Sequence, residues 1–246
     1  SCKFLGETGI YVANNVIPVQ SRSCVFEKND ERALFATDGG QLHVTSATIR
    51  ESSTGIGVTD QPMTKNAPVV GRPGLVRIEQ SRLEDCKVAM KVDGGTIEAS
   101  NECFIDRARI AIGVATGVAN MTDISISRSR DKAILVYQGG EVTMKNSNIS
   151  DSDQTAVMLL NGSFAFSGGV IEDFPQHGIV MGDSVAAELQ EISLKLDQAT
   201  IRTSGRKTAG LTAYCGRVDL SGCLFDGGGY GVYFDGKPFD GLNADE

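Results

Sequence analysis

Few residues in this chain combine a reactive type with a useful spacing. Asp151 and Asp153 stand two apart in Ser150-Asp151-Ser152-Asp153-Gln154-Thr155, and in extended backbone that spacing turns both carboxylates the same way. A carboxylate pair in a groove can cleave a glycosidic bond, one member as acid and the other as base or nucleophile. The same six residues also have the composition of a polar turn. Gln176-His177-Gly178 offers one imidazole, again in turn-like company, and His43 lies between apolar Leu42 and Val44, so it faces solvent if they face inward. Only two histidines occur and none of the six cysteines forms C-x-x-C, so no metal site is expected. The G-x-S-x-G, P-loop and dinucleotide fingerprints are missing, and no cofactor is expected. Cys2 and Cys24 lie 22 residues apart; the spacing admits either a disulfide between stacked segments or two free thiols.

These residues must be held by something, and the sequence shows it as a repeat. A small residue, an apolar one, any residue and a second apolar one recur ten times: from Gly9, Ala33, Gly55, Ala89, Ala111, Ala133, Ala156, Gly178, Gly210 and Gly231. The spacings are 24, 22, 34, 22, 22, 23, 22, 32 and 21 residues. A second alternating element accompanies most runs, as in Leu42, Val44, Ile49; Val76, Ile78, Leu83; Ile97, Ala99, Phe104; Phe164, Phe166, Ile171; and Val218, Leu220, Phe225. Alternation of period two means strands with one buried face. A unit of about 22 residues with strands and no room for a helix predicts an all-β solenoid: a right-handed single-stranded parallel β-helix, pectin-lyase-like, of about ten coils and roughly 45–50 Å long. Residues 1–246 read as one domain. The glycine pairs Gly39-Gly40, Gly94-Gly95, Gly139-Gly140 and Gly168-Gly169 fall at its bends. Two long spacings mark insertions, at about 59–74 and 182–195, which leave the same corner; Val185 to Leu194 of the second reads as a short helical turn.

Composition limits the partners. The 246 residues are 41% apolar with a net charge of −8 and 29 glycines. An acidic chain without a basic run is a poor candidate for nucleic acid or anionic membrane, and no nucleic-acid partner is expected. No window is apolar enough to cross a bilayer, so this domain is not expected to insert into one. Ser1 opens inside a patterned segment, which reads as a mature product or an excised piece. The third place of each run should face outward: Tyr11, Phe35, Gly57, Lys91, Gly113, Leu135, Met158, Val180, Thr212, Tyr233. Leu135, Met158 and Val180, flanked by Ala133, Ala156 and Gly178, are expected to form an exposed apolar patch for a partner, with Tyr11 and Phe35 on the same column.

The ten runs, with turns such as Gly139-Gly140-Glu141-Val142-Thr143-Met144 and Gly94-Gly95-Thr96-Ile97-Glu98-Ala99, resemble the passenger domains of bacterial autotransporters, those of Bartonella in particular. The resemblance covers nearly the whole chain, and its motif is structural. It implies a secreted or surface-displayed protein that engages a host cell-surface receptor or matrix component, an adhesin or virulence factor. In one Bartonella branch it implies growth-factor-like, angiogenic action. It carries over no functional residue. The alternative expectation is a polysaccharide-acting lyase or hydrolase with a carboxylate groove and a glycan as its partner. The Asn-x-Asp and Asp-Asp partners of pectin hydrolases and the Asp-Pro-His-Glu motif of alginate epimerases are missing.

Overall fold

The structure is a computed structural model, and it describes residues 2–13, 17–60, 72–182, 191–203, 205 and 208–234. The described residues contain 22 strands and no helix. Every pairing is parallel, and the chain winds as a parallel β-helix of about nine turns. The ten small-apolar-x-apolar runs supply ten layers of one sheet, and ten layers enclose nine turns. Two further sheets complete each turn. In one turn the chain passes from the signature strand Lys132–Val136 through 141–145 on the second sheet to 147–150 on the third, then to the next signature strand Thr155–Leu159.

Register explains why each place has its residue type. Ile112, Ile134, Val157, Ile179 and Leu211 pair in sequence down the signature sheet, and all are fully buried. Phe26, Ile49, Leu83, Ile105, Ile126, Ile149, Ile171 and Ile201 form the matching column of the third sheet. Every interior side chain lies about 4.8 Å above its counterpart, so the hollow fills with stacked aliphatics and stability accrues turn by turn.

Three corners join the sheets, each with its own residue rule. The signature-to-second corner is a glycine column that includes Gly40, Gly74, Gly95, Gly117, Gly140 and Gly162. A Cβ on Gly140 would stand 2.7 Å from the Val114 carbonyl oxygen, so the turn below occupies the space a side chain needs. Three of the expected glycine pairs end here, whereas Gly168-Gly169 lies at the second-to-third corner. That second corner turns on one left-handed residue per coil, such as Ser46, Gln80, Asp123, Asn146 and Gln198, and a small or thiol residue follows it inside in most coils, Ile124 after Asp123 being an exception. The third-to-signature corner repeats the device with Lys28, Glu51, Asp85, Arg107, Arg128, Asp151 and Asp173.

Three expectations need correction. Phe104 is not the inward residue of its strand. Asn101 and Glu102 are both left-handed, the extra corner residue shifts the alternation by one, and Ile105 is buried while Phe104 is exposed. Ile192 and Leu194, expected in a helical turn, are buried in the strand Ile192–Thr203, because their alternation continues through Leu196. Ile192 to Lys195 are therefore strand, not insertion. Residues 183–190 of the second insertion and 61–71 of the first lie outside the described residues.

Candidate functional site

The outward column of the signature sheet has the expected register, since Leu135 pairs with Met158, Met158 with Val180 and Val180 with Thr212. It is not the expected open patch. Val180 is only 7% exposed, and Leu135 and Met158 are half-buried. Beside Val180, Thr212 is buried too, its hydroxyl 3.0 Å from His177 Nδ1, so this part of the column is covered. Burial lowers the pKa of His177 and favours its neutral form. Phe35 is 4% exposed because its ring folds across Gly57, stacks on Tyr11 at 5.8 Å between centroids and lies under the Arg32 guanidinium at 4.1 Å. Tyr11 remains exposed.

Charge converges instead at the third-to-signature corner, where four successive coils present a charged residue, a small buried one and a second charged residue. The tripeptides are Asp85-Cys86-Lys87, Arg107-Ala108-Arg109, Arg128-Ser129-Arg130 and Asp151-Ser152-Asp153. Backbone bonds stack them: Arg109 N donates to Cys86 O at 3.0 Å, Arg130 N to Ala108 O at 2.9 Å and Asp153 N to Ser129 O at 2.8 Å. Asp151 and Asp153 are thus the fourth rung of a ladder whose other rungs the sequence reading missed. Both are exposed, and among the described residues neither carboxylate has a hydrogen-bond partner. The signal was present as charged-small-charged before four successive signature runs. It went unread because the middle residues resemble ordinary loop positions.

The side chains form an alternating chain of charges. Arg107 grips Asp85 through Nε at 3.0 Å and Nη2 at 2.7 Å, and reaches Asp106 through Nη1 at 2.5 Å. Arg128 grips Asp106 through Nε at 2.8 Å and Nη2 at 2.7 Å, and Ser127 Oγ donates to the same carboxylate at 2.9 Å. Arg130 Nη2 donates to Asp85 at 2.7 Å. Alongside, Asp131 accepts from Lys132 at 2.6 Å and faces Arg109 at 3.8 Å. Five cations meet three carboxylates in this network, with Lys87 beside it and the exposed Asp151 and Asp153 on the next rung, on a chain of net charge −8. Burial pushes the Asp106 carboxyl up, but the Arg128 and Ser127 hydrogen bonds and the neighbouring guanidinium charges outweigh it and leave it below the usual range. The Arg107 hydrogen bonds hold Asp85 low as well.

A cleft of about 400 Å³ opens against this corner, lined by Asp85, Cys86, Lys87, Arg109, Arg130, Asp131 and Gln154. Burial pushes the Cys86 thiol up to about 11, so it stays protonated and unreactive at neutral pH. Cys2 and Cys24 are stacked in neighbouring turns, as their spacing allows, with Val25 N donating to Cys2 O at 2.8 Å; both thiols are free. His43 is half-exposed beside Glu79 at 3.7 Å. Comparison with known proteins finds no matching family model, no matching curated protein and no matching solved structure.

Proposed function

We propose that this chain is a rigid binding rod, secreted or displayed at a bacterial surface in the manner of an autotransporter passenger, that engages a protein on a host cell surface. The observation that supports this reading is the charged corner, a local excess of cations on an acidic body. Such asymmetry turns one face toward an acidic partner and keeps the remainder away from it. Lys132 of the corner lies on the same strand as Leu135, and Met158 follows one turn on. A small apolar anchor beside a charged rim suits a protein interface. The resemblance of the coil pattern to passenger domains is what suggests export and an adhesin or virulence role, and in the angiogenic branch a growth-factor-like action on a receptor.

The test is retention of labelled protein on host cells at low and high salt. Replacing Leu135 and Met158 together with Ser is expected to weaken retention at least tenfold and leave the circular dichroism unchanged. Unaltered retention would remove this column as the contact. One observation keeps a second reading, the polysaccharide lyase or hydrolase: Asp151 and Asp153 stand exposed one turn beyond Arg128 and Arg130. Turnover of any glycan in a panel with and without Ca²⁺, lost in Asp151→Asn and Asp153→Asn, would replace the binding reading with that one.

A further inference from the structure

We propose that the cleft at the charged corner binds a sugar bearing a tetrahedral oxyanion, a sulfate or phosphate monoester. Lys87, Arg109 and Arg130 occupy the same place in three successive turns and line this one cleft. Their backbones are about 4.8 Å apart, so three cationic heads address a single small volume. Their donors are largely unspent. Arg109 is 68% exposed, lies 3.8 Å from Asp131 and makes no side-chain hydrogen bond among the described residues. Lys87 has no side-chain partner there either, and the side chain of Arg130 commits only Nη2, to Asp85.

Guanidinium forks fit oxyanions in paired hydrogen bonds, and an ammonium adds a point charge. Three cations suit a group with three terminal oxygens better than a carboxylate with two. A volume of about 400 Å³ lies in the range of small-molecule sites and holds more than a bare ion. Gln154, Asp85 and Asp131 on the same walls can bond sugar hydroxyls. The acidic wall residues and the net charge of −8 count against a long polyanion such as a nucleic acid. This ligand class deepens the binding-rod reading, on which it rests only for the source of the ligand, a cell-surface glycan.

The purified chain, labelled with ¹⁵N, would be titrated with four probes while arginine Nε–H signals are followed. The probes are a sulfated monosaccharide, its phosphorylated counterpart, the unesterified sugar and inorganic sulfate. Saturable shifts at Arg109 and Arg130 are expected with one or both esters, whose relative affinity identifies sulfate or phosphate as the preferred group. The unesterified sugar and inorganic sulfate should each bind at least tenfold more weakly. Arg109→Gln should weaken ester binding about tenfold without changing the melting temperature, since that side chain makes no hydrogen bond. Asp131→Asn should strengthen it severalfold by releasing Arg109. Absence of saturable shifts with both esters, inorganic sulfate binding as tightly as the esters, or an indifferent Arg109→Gln would each overturn the proposal. Cell retention without ester binding overturns the cleft alone; ester binding without cell retention overturns the cell-surface reading alone.

Discussion

Asp106 is nearly enclosed, with its side chain 5% exposed, yet it is ionised because Arg107, Arg128 and Ser127 all donate to it. Removing its charge leaves two guanidiniums short of an acceptor, and Asp106→Asn is expected to lose about 2 kcal/mol at neutral pH. The folded pKa lies below the unfolded value, so this stability is complete above about pH 4 and fades as pH falls through the depressed folded pKa. Denaturant midpoints of parent and variant should therefore converge in strong acid. His177 adds a second acid-sensitive contribution of the same sign. Its folded pKa is lowered, so protonation below about pH 6.5 favours the unfolded chain. Among single residues, the sequence disclosed Asp151 and Asp153 because two carboxylates attract notice. It hid Asp106, which is followed by Arg107 and meets Arg128 only through the stacking of turns.

Each element is governed by its corners. Strands were legible because apolar alternation survives in any one coil, as in Phe164 and Phe166. Phe104 was misplaced because the left-handed pair Asn101-Glu102 leaves no mark in the hydrophobic pattern. The openness of Val180 was equally unreadable, since alternation assigns a side of the sheet but not what lies against it. At the glycine corner, Gly140→Ala must push a Cβ against the Val114 carbonyl of the turn below. It is expected to cost at least about 2 kcal/mol in chemical denaturation, a buried steric conflict of the overpacking kind. Gln198 presents the opposite case, being exposed and left-handed at φ 51°. Gln198→Gly relieves about 1–2 kcal/mol of backbone strain against a smaller loss to unfolded-chain entropy, so a small gain in melting temperature is expected.

At the level of the whole molecule, one cross-section recurs along the axis. The parallel β-helix was the most legible feature, since ten runs at nearly constant spacing leave few other architectures. Val157 pairs with Ile179, 22 residues on, so excising 157–178 joins Ala156 to Ile179 in an equivalent interior environment. The shortened protein should fold with the same circular dichroism per residue, whereas excision of half that segment should not. Ile134→Ala in mid-stack should cost about 3 kcal/mol and open a cavity that the neighbouring turns cannot collapse to fill.

The ladder of charged corners makes the rod a graduated ruler. Its marks fall at one fixed interval, because the backbones of successive rungs are stacked at strand spacing. A stiff partner would meet several rungs at once only if its own groups kept that interval, and length would then count beside charge.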